Sequence, residues 1–130
     1  MVNITIITPF FNCEKTILKH YDYHKSLTYK LNCEIIYVND CSTDNSYKIL
    51  KKKINSEKRK NINIYSLNKN HGPGIARNLA ITKSQGNYLI FLDSDDKLDL
   101  KIFQKIFIKT KKNKSDIFFL GYKKKKQPSN

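Results

Sequence analysis

Short β-prone apolar runs recur along this 130-residue chain, each separated from the next by an interval long enough to hold a helix. Residues 2–8 (VNITIIT), 34–39 (EIIYVN), 61–67 (NINIYSL), 88–92 (YLIFL) and 115–120 (SDIFFL) are rich in β-branched and aromatic side chains. Each run is too short for a buried helix and reads as a strand. The intervals carry apolar residues at helical spacing. The first predicts a helix over 13–30 with Ile17, Tyr21, Leu27 and Leu31 on its inner side, entered through Asn12 as N-cap. The second carries Tyr47, Leu50 and Ile54 on one face. The third is short, with Ile75, Ala76, Leu79 and Ala80 and with Gly86 as its C-terminal stop. The fourth presents Leu100, Phe103, Ile106 and Phe107. Strand alternating with helix in this way predicts an open, mainly parallel α/β sheet flanked by helices. The uninterrupted apolar run at 88–92 predicts a strand covered on both faces.

Length limits this to one domain with one core, which we assign to residues 1–122. Residues 123–130 (KKKKQPSN) lack apolar content and read as a disordered basic tail. No apolar run approaches the roughly 18 residues of a membrane span. Nor does the chain open on a basic-then-apolar leader, so a cytoplasmic protein is expected. Its three cysteines, Cys13, Cys33 and Cys41, lack metal-ligand spacing and read as free thiols. The formal charge of +14 favours anionic partners such as phosphorylated ligands, an anionic leaflet or nucleic acid. A lysine-rich solvated surface accounts for the same excess.

In a doubly wound sheet, ligands sit beyond the carboxyl ends of the strands, where strand order reverses. The polar clusters lie there: Pro9 to Asn12 after the first strand, Asn39 to Asp44 after the second, and Asp93 to Asp96 after the fourth. Along an extended chain, Asp93 and Asp95 point the same way and converge. Paired carboxylates resist ionising together unless a cation lies between them, and oxygen-only ligands suit Mg²⁺ or Mn²⁺. The competing reading is an acidic turn that caps the helix beginning near Leu98.

Four stretches, 6–12 (IITPFFN), 38–44 (VNDCSTD), 70–78 (NHGPGIARN) and 86–96 (GNYLIFLDSDD), in that order and spacing, resemble the nucleotide-binding half of family 2 glycosyltransferases. The resemblance implies the GT-A, Rossmann-like fold and transfer of a sugar from a nucleotide diphosphate sugar, with inversion, to a glycan or lipid-linked acceptor in polysaccharide biosynthesis. Pro9, Phe11 and Asn12 would then line the donor site, with Phe11 stacking on the base. Asp40 would accept the N–H of a uracil-type base, an edge that UDP and dTDP share. Arg77 would neutralise phosphate, and Asp93-Ser94-Asp95 would be the D-x-D motif that holds Mg²⁺ or Mn²⁺ against the diphosphate. The same resemblance puts the general base and acceptor segments downstream of the D-x-D, beyond this chain. Asp116, at the start of a predicted strand, is a poor place for a base. Peripheral contact with the inner face of the membrane is a further expectation. Cys41 replaces a common glycine and implies a non-glycine backbone in that turn.

Other constellations are weaker. His20 and His24 have i, i+4 spacing without a third ligand and read as packing; His71 lies close enough to the site for donor contact. Gly72-x-Gly74 lacks the third glycine of a dinucleotide loop. A dehalogenase-type phosphatase would carry its D-x-D on the first strand, not the fourth. An inert nucleotide-binding remnant or a basic nucleic-acid-binding module stands as the alternative function.

Overall fold

A computed structural model describes residues 3–112. The chain runs β1 (Ile4–Phe10), α1 (Ile17–His24), α2 (Leu27–Lys30), β2 (Cys33–Asn39), α3 (Ser46–Glu57), β3 (Ile62–Ser66), α4 (Pro73–Lys83), β4 (Tyr88–Phe91) and α5 (Leu100–Lys112). The described strands form one parallel sheet in the order β3-β2-β1-β4. The predicted alternation is present. The strand expected at 115–120 and the tail at 123–130 lie outside the described residues.

β1 and β2 are buried along their whole length, as strands covered by helices on both faces must be. Ile4, Ile6 and Phe10 join Cys33, Ile35 and Tyr37 in a core with Ile17 and Tyr21 of α1, Leu50 and Ile54 of α3, and Phe103 and Ile106 of α5. Ile7, Ile36 and Val38 point to the other face and pack on Ala76 and Ala80 of α4. The small alanines let that helix approach closely. Each fully buried isoleucine contributes about 1.5–3 kcal/mol over its exposed state.

Three expectations need correction. The helix expected over 13–30 divides into α1 and α2. The backbone N–H groups of Cys13 and Glu14 bond across to Ser46 Oγ (2.8 Å) and Asp44 Oδ2 (3.1 Å) instead of entering a helix. At Ser26 the ladder tightens to i→i+3 bonds, Thr28 N to Lys25 O and Tyr29 N to Ser26 O. β4 is not covered on both faces: it is the edge of the described sheet, and Phe91 is 50% exposed, because α4 lies over β1 and β2. Finally, α4 ends at Ser84 in an extended conformation, so Gly86 is no helix stop. Its role is close approach: a Cβ on Gly86 would sit 2.5 Å from the Thr5 backbone nitrogen.

The order matters for function. Strand order reverses at β1, with β2 and β3 added on one side and β4 on the other, and parallel register brings Phe10 beside Asn39 and Ile7 beside Phe91. The loops after β1, β2 and β4 therefore open on one edge, at the switch point where such sheets bind ligands.

Candidate functional site

The loops after β1 and β2 are laced together by Asn12. Its side-chain oxygen accepts the N–H groups of Thr43 (2.8 Å) and Asp44 (3.3 Å), while its amide nitrogen donates to Thr43 Oγ1 (3.1 Å). Asn12 holds a positive φ of 46°, a left-handed conformation that asparagine tolerates. It is no N-cap, since α1 starts only after Thr16. Cys41, at φ 57°, adopts the left-handed backbone as well; the expectation of a non-glycine conformation there fails. Asn39 braces the same corner, accepting Ser42 N–H (3.0 Å) and donating to Ser66 Oγ (2.8 Å).

Asp40, only 4% exposed, reaches across to the segment that opens α4. Its two carboxylate oxygens accept the N–H groups of His71 and Gly72, each at 2.8 Å. Each oxygen keeps a second lone pair for a ligand. Gly72, at φ 84°, requires glycine, and Pro73 then occupies the first turn of α4, where a missing N–H costs nothing.

The acidic residues after β4 sit in a turn rather than an extended strand: Asp96 N–H bonds back to Asp93 O at 3.0 Å. The strand geometry expected to make Asp93 and Asp95 converge does not extend to them; from this turn both line the same cleft. Asp96's carboxyl is pushed up by partial burial and by the neighbouring Asp95 and Asp93 carboxylates, as in a cluster of like charges. Helix capping falls to Asp99, whose Oδ1 accepts Lys101 N–H (2.9 Å) and Ile102 N–H (3.1 Å). Asp93, Asp95 and Asp96 are not used as caps of α5. Arg77, projecting from α4, donates from Nη2 to Asp93 Oδ1 at 2.7 Å, and its Nε is buried without a hydrogen-bond partner.

These parts enclose a cleft of about 380 Å³, within the range of small-molecule sites. Pro9, Phe11, Asp40, Arg77, Asp93, Ser94 and Asp95 all line it. Asn12 does not, because its polar atoms are spent on the loop junction. Nor does His71, which contributes a backbone N–H to Asp40 and leaves its imidazole exposed. Sequence reasoning missed Phe10, Cys13, Thr16 and Pro73 as lining residues. Their signal was only proximity to the first and third motifs. The Phe11 ring is 46% exposed and offers a flat apolar surface on one wall.

Chemically, the cleft offers an aromatic face, a buried carboxylate, a guanidinium and a pair of carboxylates. Among the described residues, no three His, Cys, Asp or Glu side chains are grouped to hold a metal by themselves. Two carboxylate donors fit an ion such as Mg²⁺, which takes its remaining oxygens from water and a ligand phosphate.

The sequence profile of Glycosyl transferase family 2 matches residues 5–130. An uncharacterized glycosyltransferase of Haemophilus influenzae is 38% identical over 93 residues, covering 72% of this chain and 36% of that protein. The chain thus spans little more than a third of that relative. Among solved structures, Staphylococcus aureus TarS 1–349 in complex with UDP-GlcNAc superposes with a TM-score of 0.70 at 28% identity, over 85% of this chain and 32% of that one. The mannosyltransferase PcManGT of Pyrobaculum calidifontis, in complex with GDP-Man and Mn²⁺, shares the fold with a TM-score of 0.66 at 20% identity, over 72% and 27% of the two chains.

Proposed function

This chain belongs to glycosyl transferase family 2 and has its GT-A fold; on that premise we propose that residues 1–122 form the donor-binding half of an inverting glycosyltransferase. The single observation that carries the reading is the convergence of Phe11, Asp40, Arg77, Asp93 and Asp95, from separate segments, on one cleft. In this reading Phe11 stacks on the base with Pro9 beside it, and Asp40 accepts the base N–H with a lone pair left free by the α4 segment. Asn12 acts from behind, holding the loop that presents Phe11. Arg77 binds phosphate, and Ser94 lines the path of the diphosphate. A UDP-sugar is the donor this pattern fits, in keeping with the UDP-GlcNAc bound by TarS.

Asp93 and Asp95 would hold Mg²⁺ or Mn²⁺, as the oxygen-only donor set allows. When bound, the ion supplies Lewis-acid stabilisation of the departing diphosphate. We assign no general base among the described residues. The acceptor is proposed to be a glycan or lipid-linked hydroxyl in polysaccharide assembly. No described helix is long and apolar enough to cross a membrane. Exposed Lys101, Lys105, Lys109 and Lys112 along α5 suit peripheral contact with an anionic inner leaflet.

Calorimetric titration with UDP, with and without Mn²⁺, tests the reading. Wild type should bind UDP more tightly with the metal, and Asp93→Asn with Asp95→Asn should abolish that gain while the protein stays folded. A double variant that keeps the gain would rule out the metal assignment. Binding that instead tracks any polyanion and collapses with salt would favour a nucleic-acid module.

A further inference from the structure

We propose that His24, buried in α1, is a positioning residue for the acidic turn, holding Asp93–Asp96 at the cleft by accepting the backbone N–H of Leu98. This rests on the metal and nucleotide reading above.

His24 is fully buried. Its Nδ1 lies 2.8 Å from the carbonyl oxygen of His20. A carbonyl only accepts, so Nδ1 must carry the hydrogen and donate it. In a neutral ring that leaves Nε2 as an acceptor, and Leu98 N–H points at it from 3.0 Å in a buried contact. One tautomer satisfies both bonds, and protonation of Nε2 would break the second. Burial lowers the His24 imidazole to about 4, so the ring is neutral at ordinary pH.

The consequence lies in what this bond anchors. Upstream of the turn, Leu92 N–H bonds to Ile7 O in β1 at 2.9 Å. Downstream, the Leu98 side chain is buried, and its N–H is held by His24. Between these anchors Asp93, Asp95 and Asp96 are exposed, with the Asp96-to-Asp93 bond closing the turn. His20 buttresses the anchor: its ring lies 4.2 Å from the His24 ring, and its Nδ1 is 3.2 Å from the Tyr37 hydroxyl. The i, i+4 histidine pair is therefore a support beneath the turn rather than a metal pair. A leucine at position 24 would fill the volume but leave Leu98 N–H buried without an acceptor.

Two substitutions separate support from mere packing. In His24→Asn the amide can still donate to His20 O but is too short to reach Leu98. In His24→Gln the side-chain oxygen stands near the Nε2 position and can accept. In the full chain, His24→Asn should lose roughly 10- to 100-fold of the Mn²⁺-dependent part of UDP affinity, a loss typical of groups that orient metal ligands. Metal-free UDP affinity should stay within about twofold, and His24→Gln should recover most of the loss. A folded His24→Asn with the full Mn²⁺ gain overturns the proposal, as does equal loss in both variants. If wild type itself shows no Mn²⁺ gain, the functional reading fails, and hydrogen exchange of the Leu98 amide decides the positioning claim. Slow exchange in wild type and His24→Gln with fast exchange in His24→Asn supports it; equal rates overturn it. Should the variants not fold, ¹⁵N spectra of wild-type His24 still decide: an Nδ1–H tautomer supports the anchor, and an Nε2–H tautomer refutes it.

Discussion

The guanidinium of Arg77 and the carboxylate of Asp93 meet at 2.7 Å, so the cation proposed for phosphate is paired, in the free protein, with a carboxylate proposed for metal. Both side chains are partly exposed, at 32% and 54%, and the pair is correspondingly easy to exchange. The two partners come from different elements, the helix α4 and the turn after β4. With the roles proposed for them, this contact would make metal and diphosphate binding interdependent.

Arg77→Gln should therefore have opposite effects on the two ligands. Mn²⁺ alone should bind more tightly, since Asp93 Oδ1 loses its competing partner. UDP without metal should bind more weakly, by the roughly 1.5–3 kcal/mol of a charged hydrogen bond. Separate titrations of each ligand check this. Parallel weakening of both would show that Arg77 merely supports the fold.

Asp40→Ala should weaken metal-free UDP binding by about 1–3 kcal/mol. Because Asp40 also holds His71 and Gly72, affinity alone does not separate base contact from loop support. A UDP analogue methylated at the base N–H does. Wild type should discriminate against it, and Asp40→Ala should bind both nucleotides alike. Persisting discrimination in the variant would assign the base contact elsewhere.

Gly86→Ala should destabilise the protein by about 1–3 kcal/mol, the usual range for overpacking. The added Cβ would meet Thr5 N at 2.5 Å, Thr5 Oγ1 at 2.6 Å and Ile4 C at 2.7 Å, and two of these are backbone atoms. It would also disturb Gly86 N–H to Thr5 Oγ1 (2.9 Å). A lower urea midpoint at unchanged slope is the expected result. An unchanged midpoint would mean that β1 and the α4–β4 connection separate without cost.

Acid should erode stability through the buried histidines. Folded His24 titrates near 4 against an ordinary value of 6.5, chiefly from burial and secondarily from Lys97; the His20 carbonyl acts the other way. The adjoining His20 ring is lowered to about 3 by burial and by His24. Below about pH 6.5 the unfolded chain takes up protons that the folded chain refuses, so stability rises with pH in this window. The His24 share is full above 6.5 and is lost progressively as pH falls towards 4. Urea midpoints measured from pH 7.5 to 4.5 should fall less steeply for His24→Gln than for wild type, with a residual slope from His20. Parallel curves would contradict this.

Much of the architecture was legible because it depends on near neighbours in the chain. The β-branched runs at 2–8 and 34–39 and the helical stripe of Phe103, Ile106 and Phe107 state their periodicity locally. Parallel pairing and the placement of loops at one edge follow from topology. That Asp93 and Asp95 lie on the cleft was legible for the same reason, since they follow an apolar strand at the edge where ligands sit. Asn12 was misread as a cap because its partners, Thr43 and Asp44, lie in another loop. The Gly86 role was misread because the atoms that crowd it belong to β1. The half-exposed β4 was read as buried because an apolar run does not say which strands a helix covers.

Residue order alone determined that this chain alternates strand and helix, and which edge carries its polar loops, because hydrophobic period and chain direction are local and topological quantities. Only the tertiary structure decided that Arg77 pairs with Asp93 and that His24 anchors Leu98. Those contacts join residues far apart in the chain, and they exist only once packing has brought α1, α4 and the acidic turn within a hydrogen bond's reach.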